Sequence, residues 1–278
     1  MKIRKASLPT GWYPETSSAV EEFIEQAKDK IIQEKTFKKN AKVCVVPHAG
    51  WSFSGKIALS ALLRLQSKAE TLIVIGGHLG PSSQPLMMMD DGVETPFGIL
   101  PIDVSFRNLL LESIPCKSDV YPDNTVEVQL PFLHYLFPSC QIIWMRLPAE
   151  MKSYSIGKTI GAIAEAQHKN VLVIGSTDLT HYGPNYDFYP AGKGEDAYAW
   201  VTKVNDAELI HAVLAKDPAM VFQKASKDYA ACSVGAILAA MGYGETRSLG
   251  GPELVAYGTS RDVYVSDSFV GYASIIWQ

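Results

Sequence analysis

The chain is 278 residues long, 47% hydrophobic and 19% charged, with a formal net charge of −4. Such a chain buries a large core; it has no dense Lys/Arg run to grip nucleic acid, and its one basic cluster, EKTFKKNAK (34–42), reads as the close of a helix. No apolar run approaches the roughly 20 residues of a membrane span.

In chain order, TSSAVEEFIEQAKDKIIQEK (16–35) opens on Ser/Thr caps and spaces Val20, Phe23, Ile24, Ala27 and Ile31 along one helical face. KVCVVPH (42–48) reads as a buried strand, GKIALSALLRLQ (55–66) as a helix and TLIVIGGH (71–78) as another all-apolar strand. Strand–helix–strand is the usual element of a parallel sheet. PLMMMDDGVETPFGILPID (85–103) is predicted as a hairpin turning near Asp91 and Gly92. Helices follow over VSFRNLLLES (104–113) and TVEVQLPFLHYLF (125–137), the second started or kinked by Pro131. QIIWMRL (141–147), SYSIGKTIGAIAEAQ (153–167) and NVLVIGSTDLTH (170–181) make a second strand–helix–strand unit. Beyond a polar, Gly/Pro-rich loop (182–195), the pattern predicts helices over 196–215 and 229–242, then strands over 253–260 and 268–277. No fixed-period repeat or linker divides the chain. The expected fold is α/β: one domain, 1–278, with a mostly parallel central sheet flanked by helices.

The four cysteines (Cys44, Cys116, Cys140, Cys232) are scattered with no CxxC, a pattern that suits reduced thiols. The first residues, MKIRKASLPTGWYPET, lack the apolar core of a secretory signal, so a soluble, cytoplasmic protein is expected.

Parallel strands joined by right-handed crossovers put their carboxyl ends on one sheet edge, where open α/β sheets bind ligands. VVPHAG ends one strand in His48 and IGGH ends the next in His78, while VLVIGSTDLTH carries Asp178 and His181 to the same edge. Strands lie about 4.8 Å apart, so imidazoles at adjacent tips can reach one ion. A lone histidine beside a strand end is a structural cap; the matched pair points to a metal or catalytic site. His134, His168 and His211 sit on helical patterns and are read as structural or solvated.

RKASLPTGWYP, VPHAGWSFSG, IGGH, TPFGILPID, VEVQLPFL, STDLTHYG and SVGAILAA occur in the order found in the Memo family. The chain resembles that family from about Arg4 to the closing DSFVGYASI; its bacterial and archaeal members are often named AmmeMemoRadiSam system protein B. The Memo fold is similar to that of class III extradiol dioxygenases, non-haem iron enzymes that open catechol rings. The resemblance implies a metal held by His48, His78 and Cys232, the cysteine standing where those dioxygenases use a carboxylate. It also places Asp178 and His181 at an SDxxH motif, the histidine matching an acid/base residue. Relatives commonly read EHSLEVQLPF where this chain reads DNTVEVQLPF, so Asn124 replaces a pocket histidine.

Cys232 is expected near the start of the helix over 230–241, where backbone N–H groups favour a thiolate; the alternative is a buried packing thiol. Two imidazoles and a thiolate suit Fe(II), Cu or Zn(II), and affinity order by itself favours copper over iron; the resemblance to non-haem iron enzymes puts Fe(II) first. Asp178 is expected to orient His181, or else to cap its own loop. Glu127 reads as a pocket acid or an exposed helix residue, and Trp12, Tyr13 and Trp51 as pocket walls or simple packing.

Three functions fit. The first is a metal-binding, dioxygenase-like oxidoreductase acting on a small molecule or peptide. The second is a cysteine-dependent hydrolase or transferase using Cys232, His181 and Asp178. The third is a non-enzymatic module whose partners, implied by the family name, are AMMECR-type and radical-SAM proteins. No GxGxxG, P-loop or flavin signature indicates a nucleotide or flavin.

Overall fold

A computed structural model of the chain describes residues 1–34 and 37–278; Lys35 and Thr36, which fall in the predicted first helix and the basic cluster, lie outside the described residues. Strand β1 (Ile3–Arg4) precedes helix α1 (Ser17–Ile32), whose Thr16 cap accepts from the Ala19 N–H and whose buried face is Val20, Ile24, Ala27 and Ile31. Strand β2 (Val43–Val46) leads through a π-helical turn (Trp51–Gly55) into α2 (Lys56–Leu62) and then β3 (Thr71–Leu79). Next come β4 (Leu86–Met87), β5 (Gly92–Thr95), β6 (Gly98–Pro101), α3 (Val104–Ser113) and β7 (Lys117–Ser118).

The hairpin lies further along than Asp91 and Gly92. It joins β5 to β6 and turns at 96–97, while β4 leaves to pair with another strand. Gly98 has φ +100, the left-handed geometry that the turn requires. The helix predicted over 125–137 is two short ones, α4 (Asn124–Glu127) and α5 (Leu130–Leu136), because Pro131 lies in the first turn of the second. Strand β8 (Gln141–Pro148), α6 (Lys152–Ala166), β9 (Val171–Ser176) and β10 (His181–Tyr182) follow. The remainder is α7 (Gly194–Trp200), α8 (Asp206–Leu214), α9 (Pro218–Asp228), α10 (Val234–Thr246), β11 (Glu253–Thr259) and β12 (Phe269–Trp277).

The main sheet has the order β10-β12-β2-β9-β3-β8-β4-β7, with β11 paired to β12. Its centre, β2-β9-β3-β8, is parallel, and β12 and β4 flank it antiparallel. Alternation sorts each strand between two cores: Val43 and Val45 face one, Cys44 and Val46 the other. Helices α3, α6, α8, α9 and α10 cover the first face; α1, α2 and α5 cover the second. Helix α10 is buried on every side from Val234 to Gly244. Glycines let it approach α6, since a Cβ at Gly157 would overlap the Ala239 carbonyl and one at Gly242 the Tyr154 carbonyl.

One feature of the order differs from the sequence reading. The two histidine strands, β2 and β3, are not neighbours, because β9 lies between them and pairs with both. Their tips are therefore about 10 Å apart, two strand spacings.

Candidate metal centre

The gap over β9 is closed by side chains. Strand β9 ends at Ser176, level with Val46 at the end of β2, while β3 runs on to Leu79, and the rings of His48 and His78 meet with centroids 5.0 Å apart and planes at 84°. Cys232 arrives from the loop before α10, and its Sγ lies 3.2 Å from His48 Nε2. One ligand atom from each of His48, His78 and Cys232 lies within 4.8 Å of the other two.

Local chemistry explains why these residues converge. Pro47 ends β2, and its carbonyl accepts from Gln129 Nε2 at 2.7 Å. The His48 N–H then donates to Asp178 Oδ1 at 2.7 Å, which pins the histidine's backbone to the loop after β9. His78 stands on a bulge of β3 with φ +55, a left-handed conformation that turns its side chain out of the strand's alternation. The preceding glycines are spaces for other parts of the site. A Cβ at Gly76 would overlap Thr125 of α4, and one at Gly77 would overlap Ser233, next to Cys232. The Gly77 N–H donates to Thr125 Oγ1 at 3.2 Å, and the Ser233 N–H to Thr177 Oγ1 at 3.1 Å.

The two imidazoles have different surroundings. His48 is buried, with Nδ1 3.3 Å from Ser176 Oγ and Nε2 facing the thiol. His78 is 36% exposed at its side chain, and its Nδ1 lies 3.3 Å from Asp123 Oδ2. Burial works to lower the His78 pKa, but Asp123 and Cys232 outweigh it and raise the value to about 9. Burial acts to raise the Asp123 carboxyl, yet His78, Thr125 and Arg146 hold it at about 2. An ion would displace the His78 proton from the side facing Cys232.

Cys232 lies two residues before the first turn of α10 and is not on the helix; besides the histidines, its Sγ has Asp178 O and Ser233 Oγ at 3.6 Å and Thr177 Oγ1 at 3.7 Å. Asp178 is committed to His48, with Oδ2 3.9 Å from its Nε2. It makes no hydrogen bond to His181, whose Nδ1 instead faces the Leu179 carbonyl at 3.2 Å, while the Asp178 carboxylate is taken by the His48 N–H. Burial lowers the His181 pKa, opposed by Asp178.

A cavity of about 740 Å³ opens beside the triad and is lined by Trp12, His48, His78, Asn124, Asp178 and His181, among others. Asn124 donates to the His48 carbonyl at 3.1 Å. A second cavity, about 450 Å³, reaches Cys232 past Tyr186, Phe188 and Tyr229, and His181 with Tyr186 forms the wall common to both. Trp51 and Glu127 lie elsewhere. Trp51 is buried flat against Phe132 at 3.5 Å and donates to the Val128 carbonyl. Glu127 is a buried acceptor for the N–H groups of Ser7 and Leu8 and the hydroxyls of Ser7 and Tyr13, which makes it an anchor for the N-terminal segment. Asp123 was missed by the sequence reading. Asp-Asn-Thr ahead of a helix looks like an N-cap, and Asp123 does cap α4 as well as facing His78.

The donor set fits a metal ion. Tetrahedral bonds of about 2.0–2.3 Å need donors roughly 3.3–3.8 Å apart, which small side-chain movements provide from the spacing found. Among the described residues, no helix is long and apolar enough to cross a membrane.

Comparison with known proteins adds to the geometry. A family profile described as Memo-like protein matches residues 4–276. A MEMO1 family protein of Methanococcoides burtonii is 36% identical over 239 residues, covering 84% of each chain. Another, from Pyrobaculum arsenaticum, is 29% identical over 293 residues, covering 100% of this chain and 99% of its own. The solved structure of an uncharacterized Escherichia coli K12 protein is similar with a TM-score of 0.54 at 10% identity, over 85% of this chain and 99% of that one, a likeness of fold alone. With the profile spanning every residue of the triad and its surroundings, the chain belongs to the Memo family.

Proposed function

We propose that this Memo-family chain is a metal-dependent redox protein with a dioxygenase-like pocket, its ion, Fe(II) ahead of Cu or Zn, held by His48, His78 and Cys232. The observation that carries the reading is the meeting of two imidazoles and a thiol, the imidazoles lining the large cavity and the thiol the smaller one. Bound there, an iron or copper ion would supply Lewis acidity and one-electron chemistry that side chains lack.

The chain's own groups would do the rest. His181, kept neutral near pH 7 by burial and directing Nδ1 to the Leu179 carbonyl, presents Nε2 as a base. Asp178 holds the His48 backbone, and Asn124 bonds its carbonyl, so both act by positioning. Among the described residues lining the large cavity there is no lysine or arginine, while serines, asparagines and aromatic rings are plentiful. That lining suits an uncharged small molecule or a neutral peptide segment better than a phosphate or carboxylate.

The test is metal analysis of protein prepared anaerobically with added Fe(II), beside His48→Ala. Near-stoichiometric metal lost in the variant is expected; metal-free wild type, or equal content in both, refutes the reading. The Cys232–His48 contact favours one other reading, a thiol nucleophile with His48, not His181, as its base. It requires alkylation of Cys232 in metal-free protein to slow when His48 is replaced. The family resemblance further suggests AMMECR-type and radical-SAM partners, to be sought by co-purification from the native host.

A further inference from the structure

The three candidate ligands are not equally supported by their surroundings. His48 is immobilised by burial and by the Asp178 bond to its backbone. His78 is the exposed one, on a left-handed residue at the end of a strand, its ring meeting His48 edge-on and otherwise reaching the cavity. Behind it lies a chain of buried charges. Asp123 Oδ2, 3.3 Å from His78 Nδ1, also accepts from Arg146 Nη1 at 2.9 Å. Arg146 closes a two-bond fork on Asp119, with Nε and Nη2 each 2.9 Å from its carboxylate. Asp119 further accepts from Trp144 Nε1 at 2.9 Å, and its carbonyl accepts from Arg4 Nη1 at 2.8 Å. Side-chain exposures of 0%, 6% and 7% for Asp119, Arg146 and Asp123 leave water little part in the chain.

Burying three charges is not an economical route to stability, because desolvation offsets most of the attraction. The arrangement does something else well: it fixes one carboxylate in position and in charge. Asp123 Oδ1 is taken by the Thr125 N–H at 2.9 Å and the Thr125 hydroxyl, and Arg146 holds Oδ2 from behind. The remaining direction of Oδ2 is toward His78.

We infer that Asp123 is the positioning residue of the candidate centre, held by the Arg146–Asp119 pair so that His78 keeps its Nδ1–H on the carboxylate and turns Nε2 to the ion. The inference rests on the metal reading above. A ligand histidine held this way is oriented and made a stronger donor, and loss of such a partner lowers metal affinity about 10–100-fold. His48 differs: its Nδ1 meets the Ser176 hydroxyl, and the nearest carboxylate, Asp178, lies 3.9 Å from Nε2, the nitrogen that faces the thiol.

The experiment uses the full chain with Zn(II) as the probe, competed against a chelator, in wild type, Asp123→Ala, Asp123→Asn and Ser176→Ala. Asp123→Ala is expected to lose about 10–100-fold in Zn(II) affinity. Asp123→Asn, which keeps an acceptor but not the charge, should fall between, and Ser176→Ala should lose less than either. Imidazole ¹⁵N–¹H spectra of the Zn(II)-loaded protein supply a readout that a purely structural role would not move. The wild type should show His78 as an Nδ1–H, Nε2-ligated ring protected from exchange. Asp123→Asn, the milder change should the alanine variant not fold, should lose that protection while the His48 signals stay. Wild-type affinity in both Asp123 variants, or His78 bound through Nδ1, overturns the inference alone. A wild type that takes no Zn(II) overturns the metal reading and this inference with it.

Discussion

Replacing Glu127 by alanine strands four donors at once. The carboxylate, 1% exposed, accepts the N–H groups of Ser7 at 2.8 Å and Leu8 at 2.9 Å, the Tyr13 hydroxyl at 3.1 Å, and the Ser7 hydroxyl. The hydroxyls can rotate toward other acceptors; the two backbone N–H groups cannot. Ser7 is exposed and Leu8 half-buried, so water takes up part of the loss; at the roughly 0.5–1.5 kcal/mol net of a typical hydrogen bond, two give about 1–3 kcal/mol. That is a measurable share of the roughly 5–15 kcal/mol by which a domain is stable. Because Thr10, Gly11 and Trp12 of the same segment line the large cavity, the loss should be read in two places. Urea unfolding followed by tryptophan fluorescence should show a lower midpoint, and limited proteolysis should open new cuts near residues 5–13. If the segment detaches by itself, the cuts appear with the midpoint kept, which still locates the anchor at Glu127. An unchanged midpoint together with an unchanged cleavage pattern refutes the reasoning.

Asp206 is buried and accepts from the Thr180 N–H and hydroxyl and from Tyr257; burial raises its carboxyl from an ordinary 3.8 to about 6, against those bonds. The folded state then binds the proton more tightly than the unfolded one, so stability falls as pH rises from about 4 to about 6, by up to about 1.4 kcal/mol per unit. Urea midpoints across that window should slope downward in wild type and flatten in Asp206→Asn. Gly157→Ala forces a methyl against the Ala239 carbonyl and should cost about 1–3 kcal/mol or more; a thermal midpoint equal to wild type would contradict the packing of α6 on α10. Iodoacetamide should label Cys232 in metal-free protein and leave buried Cys44 and Cys140 untouched, with added Zn(II) protecting Cys232. Mass spectrometry of the peptides decides it, and labelling indifferent to Zn(II) counts against a ligand role for the thiol.

Much of this architecture is legible in the chain. The apolar runs around Val43–Val46, Thr71–Leu79 and Val171–Ser176 announce parallel strands, and their Pro-His and Gly-Gly-His ends mark the edge where the candidate centre lies. The order of strands was not legible, since insertion of β9 between β2 and β3 depends on which face each crossover helix covers. Asp91-Gly92 has the composition of a tight turn, yet Gly92 begins a strand, pairing with Pro101 at a place where a Cβ would overlap Ile99 of the partner strand. The roles of Asp178, Glu127 and Trp51 depended on partners 77 to 130 residues away, which no local pattern names. Asp123 was hidden in plain view, as a helix cap with a second acceptor direction.

His48 and Cys232 stand 184 positions apart in the chain, and the strand tips that must be spanned are separated by a third strand. Bringing both donors to bonding distance requires that long-range closure first, so a cation is not expected to nucleate folding here as it does in small zinc modules. A cation held by this triad would arrive last, and its grip would report whether assembly of the whole sheet has finished.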